Sequence, residues 1–334
     1  MLLSLQLLGT LVLILVAAEI FTNALEHFGE RIGISEGVTG SLLAAVGTAM
    51  PESIVPLVAV LAGGADAHVN SEIGVGAILG APLMLSTLSV CVMALSVLGR
   101  RGWQGHLRPE RSGLTRDLTF FLVAYAIGIA ALFVPAEMKA VRAGAVVVLL
   151  VTYLLYVLLT LRVSSKLVEE GHGTEAHGEL FLSRAGLPTN FATILLQVLI
   201  GLATLVAGAK AFVFCVTGLS ASVGISPLVL SLLIVPIATE LPEKVNSVIW
   251  IRRGKDTLAF GNITGALVFQ GSLLPALGIA ITPWRPTQEV LAGIVVTMLA
   301  GAWLWLLARR GHLRVWHLAV NGVVYVGYLG LMLT

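Results

Sequence analysis

Ten apolar stretches, each longer than the roughly 18 residues that cross a bilayer's hydrocarbon core, follow one another along this 334-residue chain with short polar connections between them. They run over residues 2–25, 38–62, 72–99, 117–135, 140–162, 191–217, 226–251, 257–281, 287–308 and 315–333. Lipid offers no partner to an unpaired N–H or C=O, so each stretch is predicted to be a helix that satisfies its own backbone. With 57% hydrophobic and 11% charged residues, the fold class expected is all-α, a polytopic membrane protein. Residues 1–18 lack a basic leading segment, and the first stretch has a counterpart later in the chain. It is therefore expected to remain as a helix instead of being cleaved as a signal.

Charge placement orients these spans. Connections after odd-numbered spans hold fifteen Lys and Arg residues, among them Arg31, Arg100, Arg101, Arg252, Arg253, Arg309 and Arg310, against three (Lys139, Arg142 and Arg285) on the other side. Short basic loops stay cytoplasmic, which predicts a multi-pass protein of the cell membrane with both termini extracytoplasmic and a cytoplasmic linker over residues 164–190. His172 and His177 lie in that linker without a third ligand at metal spacing. Cys91 and Cys215 fall inside apolar stretches and are read as buried thiols.

The chain repeats itself. Residues 18–53 align without a gap on 209–244, bringing Gly33-Ile34-Ser35 onto Gly224-Ile225-Ser226, Thr48 onto Thr239 and Pro51-Glu52 onto Pro242-Glu243. Further on, the Gly76 to Ala81 segment matches Gly261 to Ala266. The expected units are 1–163 and 191–334, five spans each. An odd number of spans turns the second unit upside down, and inverted repeats with broken helices at matching places point to a secondary transporter with its site near the midplane.

The chemistry is expected at those places. Gly47-Thr-Ala-Met-Pro-Glu-Ser53 and Ala238-Thr-Glu-Leu-Pro-Glu-Lys244 each stand in mid-span. A carboxylate there is costly unless it is paired, protonated or bound to a cation. Proline withdraws a backbone donor, which releases carbonyl oxygens near Gly47 and Ala238. Thr48 and Glu52, like Thr239 and Glu243, are four residues apart and share a helix face. Together they form a hard-oxygen set suited to Ca²⁺ or Na⁺.

These residues resemble the sodium/calcium exchanger family of the cation/Ca²⁺ antiporter superfamily, whose two repeats carry a G-T-S-L-P-E type and a G-N-x-x-G-S-N type motif. The chain looks like a divergent member. The resemblance implies alternating access, with spans one and six sliding past spans two, three, seven and eight, and a monomer as sufficient unit. It also implies cation ligands at Thr48, Glu52, Thr239, Glu243 and Asn262. Several positions depart from the pattern: Ala49 and Glu240 replace the family Ser, Ala77 replaces the first-repeat Asn, and Ala81, Pro82, Ala266 and Leu267 stand where Ser and Asn are usual. Glu240 thus adds a carboxylate. Lys244, four residues on, either balances it as an ion pair or stands in the place of one transported cation. Glu19 and Lys210, matched in the repeat, are candidate gating charges, or groups that snorkel or pair with one another.

The function expected is exchange of a divalent cation, Ca²⁺ first, for Na⁺. The alternative couples the same carboxylates, with Glu240, to H⁺. A cation channel is the competing class outside exchangers. No hydrolase or metalloprotease motif stands in the spans, so no enzyme is expected, and neither a resident cofactor nor a nucleic-acid partner is implied.

Overall fold

The structure, a computed structural model, describes residues 2–31, 50–61, 67–169, 178–254 and 256–333. Its elements are α1 (Leu2–Arg31), α2 (Met50–Leu61), α3 (Ala67–Met84), a π turn (Leu85–Ser89), α4 (Val90–Arg101), α5 (Arg111–Leu132), α6 (Lys139–Glu169), α7 (Phe181–Arg184), α8 (Phe191–Val223), α9 (Pro227–Thr239), α10 (Leu241–Arg252), α11 (Asp256–Ile281), α12 (Gln288–Arg310) and α13 (Val315–Leu333). Among the described residues, eight helices are long and apolar enough to cross a membrane. The second expected span is described from Met50 onward, and the seventh is divided at Glu240 into α9 and α10. The fifth continues to Glu169, seven residues beyond its expected end.

Local chemistry sets the helix ends. Asn190 accepts from the Thr193 N–H at the start of α8, and Glu110 accepts from the N–H groups of Ser112 and Gly113 at the start of α5, each filling donors that the first turn leaves open. Gly224 and Gly311 end α8 and α12 in the left-handed region, at φ 70° for both.

The second-half motif is visible in the backbone: α10 begins with proline at its second position, where its missing N–H leaves no helical bond unmade, and the matched proline of the first half, Pro51, lies in α2.

Packing exchanges elements between the halves. α5 and α6 of the first half lie against α11 of the second, while α12 and α13 of the second half lie against α3 and α4 of the first. Each half thereby buttresses the other's third span. α1 and α8, the first spans of the halves, run along one another. Gly201 and Gly208 on α8 admit Phe21 and Ile14 of α1 closely. Gln197 on α8 fastens the pair by donating to Asn23 Oδ1 at 2.8 Å and to the Ile20 carbonyl at 3.0 Å.

At the face that carries the basic loops, Arg101 at the end of α4 meets Asp256 at the start of α11 with two bonds of 2.7 Å. The Arg108 N–H adds a third to the same carboxylate at 2.8 Å. Asp256→Ala is expected to lower stability by about 2 kcal/mol, because it strands these donors of charged and main-chain groups. A fall in melting temperature in detergent, partly restored in Asp256→Asn, is the check.

Candidate cation site

The break in the seventh span places the charged groups. α9 ends at Thr239, Glu240 takes φ −90° and ψ 8°, and α10 starts at Leu241 with proline in its first turn. Because residue 242 has no N–H, the Ala238 carbonyl lacks the donor that an unbroken helix would supply four residues ahead. The negative end of one half-helix and the positive end of the next meet at this gap.

Side chains crowd it. Glu240 is 0% exposed, Thr239 1% and Lys244 9%. Lys244 turns back along α10 so that Nζ lies 3.4 Å from Glu240 Oε2, and it donates to the Pro236 carbonyl at 3.1 Å. The ion pair expected from the four-residue spacing is present. Its reach to a carbonyl beyond the break was not foreseeable from spacing.

Asn262 on α11 is held against α10, its Nδ2 donating to Ser247 Oγ at 2.9 Å. Ser247 is buried and stands one turn beyond position 243 on the same helix face. From the first half, Glu52 sits in the opening turn of α2 and is 1% exposed. α2 packs against α3, α8, α9 and α11, so the helix that carries Glu52 touches both the half-helix that ends at the break and the helix of Asn262. The side chains of Glu243 and Ala238, and all of Gly47 and Thr48, lie outside the described residues, as do His172 and His177.

Two expected charges stand apart from this cluster. Glu19 on α1 and Lys210 on α8 are both exposed, and no ion pair joins them, so pairing with one another is not their arrangement. Tyr325 on α13 was missed. It is buried in one cluster with Leu83 and Met84 of α3 and with Leu232 and Leu233 of α9, the half-helix that ends at the break. It belongs to neither motif, and only the packing of α13 onto the third span brings it here. An open cleft of about 560 Å³ at the start of α5, lined by residues including Glu110, Arg111, Arg116 and Arg309, shares no residue with the cluster.

Two inverted five-span units, with a buried carboxylate beside the matched proline of each and a helix break at the second, define the class of a membrane cation antiporter. The comparisons agree. Residues 2–162 and 193–334 match the family described as sodium/calcium exchanger protein, and the chain belongs to that family. It is 27% identical to the provisionally named antiporter CaxA of Alkalimonas amylolytica, over 82% of this chain and 79% of that one. To the inner membrane protein YrbG of Escherichia coli (strain K12) it is 26% identical, over 82% and 78%. In fold it is similar to the H⁺/Ca²⁺ exchanger CAX, with a TM-score of 0.72 at 15% identity over 99% of this chain and 82% of that one. It is likewise similar to the sodium-calcium exchanger NCX_Mj, with a TM-score of 0.60 at 18% identity over 98% of each chain.

Proposed function

We propose that the protein exchanges Ca²⁺ for Na⁺ across the cell membrane by alternating access. Glu52 and Glu243 act as the central carboxylate ligands. Thr48, Thr239, Asn262 and the carbonyls of Gly47 and Ala238 supply neutral oxygens. The observation that carries this reading is the burial of polar side chains beside the two repeat-matched prolines: Glu52 next to Pro51, and Thr239 and Glu240 at the break just before Pro242. Oxygen donors drawn from helix ends and carboxylates suit a hard divalent ion, and family membership supports the exchanger class. Spans one and six, α1 and α8, are the sliding pair in this scheme, and the excess of basic residues after odd spans puts those loops in the cytoplasm.

A second reading replaces Na⁺ by H⁺. The specific observation in its favour is Glu240, a buried carboxylate where the family pattern has a neutral Ser. Uptake of ⁴⁵Ca²⁺ into proteoliposomes under an outward Na⁺ gradient, and in parallel under an outward H⁺ gradient, separates the two. Uptake is expected under Na⁺. Uptake under H⁺ alone would transfer the protein to the proton-coupled class, and silence under both would remove Ca²⁺ exchange altogether.

A further inference from the structure

The contacts of Lys244 go beyond those of a helical ion pair. A pair at i, i+4 needs only the two side chains. Here the ammonium also reaches eight residues back, across the break, to the Pro236 carbonyl. It thereby sits at the C-terminal end of α9, where the helix dipole and terminal carbonyls favour positive charge. Its side chain is 10% exposed and that of Glu240 0%, so protein oxygens replace most of its water. A carboxylate oxygen and a carbonyl oxygen at a half-helix end are the surroundings of a bound monovalent cation. The matched first-half positions, Ala49 and Ser53, carry no charge, so the feature belongs to one half only.

We infer that the Lys244 ammonium is a tethered occupant of a monovalent-cation subsite in the second repeat. Resting on the exchange reading above, this means each cycle moves one monovalent cation fewer than the carboxylates alone would bind. Glu52, Glu240 and Glu243 bring three formal negative charges, and Lys244 returns the total to two, which a single Ca²⁺ matches. Without the ammonium the site needs Ca²⁺ together with a monovalent companion.

The test is ⁴⁵Ca²⁺/Ca²⁺ exchange across proteoliposomes at pH 8, in choline and in K⁺ media, which requires no coupling ion. Wild type is expected to exchange equally in both, within about twofold. Lys244→Met, purified in K⁺ so that the subsite can be filled, is expected to exchange at least tenfold more slowly in choline, to recover in K⁺, and to melt at a higher temperature as K⁺ is raised. The double variant E240Q/K244M removes both charges and is expected to be indifferent to K⁺. Equal exchange by K244M in the two media overturns the inference. So does a K244M that K⁺ neither restores nor stabilises while the double variant folds and exchanges, since no cation then enters the place of the ammonium. Absence of Ca²⁺/Ca²⁺ exchange in wild type would instead strike the exchange reading itself.

Discussion

Glu52→Gln is expected to abolish Ca²⁺ exchange, with the rate falling at least about 100-fold, or ~2.8 kcal/mol. The replacement keeps the side chain's size and one carbonyl oxygen, so the change is chiefly one of charge. Glu52 is 1% exposed in the first turn of α2, where water does little to offset the lost attraction for a divalent ion. The effect on the empty protein runs the other way. A carboxylate at mid-span costs free energy to bury, so the variant without Ca²⁺ is expected to melt no lower than wild type. The rise in melting temperature that Ca²⁺ gives through preferential binding to the folded state should vanish. Glu243→Gln is expected to behave in the same way, as the repeat-equivalent ligand. Exchange at wild-type rate, or a Ca²⁺-induced shift preserved in either variant, would sink the proposed site.

How much of this could be read from the chain depends on what lipid imposes. The spans were legible because hydrocarbon tolerates only self-satisfied backbone. The break at Glu240 was legible because proline and a carboxylate recur at one offset, and α10 starts at the second of those prolines accordingly. The packing was not. In water an amphipathic stripe tells which helix face is buried, whereas here the lipid-facing and protein-facing sides are both apolar and the stripe disappears. The bracing of α11 by α5 and α6, the π turn at Leu85–Ser89 whose Ser86 carbonyl accepts from Asn321 Nδ2 at 2.7 Å, and the packing of Tyr325 against α3 and α9 therefore left no periodic trace. Glu19 and Lys210 illustrate the same limit. Their match in the repeat marked them as related, yet only the structure shows both on exposed faces and apart.

The close approach of α3 to α9 carries the second large expectation. A Cβ at Gly76 would stand 2.6 Å from the Leu228 carbonyl oxygen and closer still to Ser231 Oγ, and one at Gly80 would press on the Leu232 carbonyl and stand 2.8 Å from Pro236 Cγ. Apart from the Ser231 hydroxyl, the obstacles are main-chain atoms and a proline ring, neither of which can rotate away, so accommodating a methyl group requires the helices to part. Overpacking of this kind costs about 1–3 kcal/mol. Gly80→Ala is expected to lose that much stability, and Gly80→Val more. The displaced residue, Pro236, is also the one whose carbonyl receives Lys244, so separation of α3 from α9 moves the break itself and exchange should fall further than stability does. The buried thiols of Cys91 and Cys215 make a thiol-reactive dye a direct reporter of unfolding. Gly144→Ala, where a methyl group meets nothing within 4 Å, is the control and is expected to be neutral or slightly stabilising. Melting temperatures of Gly80→Ala and Gly144→Ala that coincide would show that the α3–α9 contact is not close-packed by glycine, and would remove the mechanical link between that contact and the site.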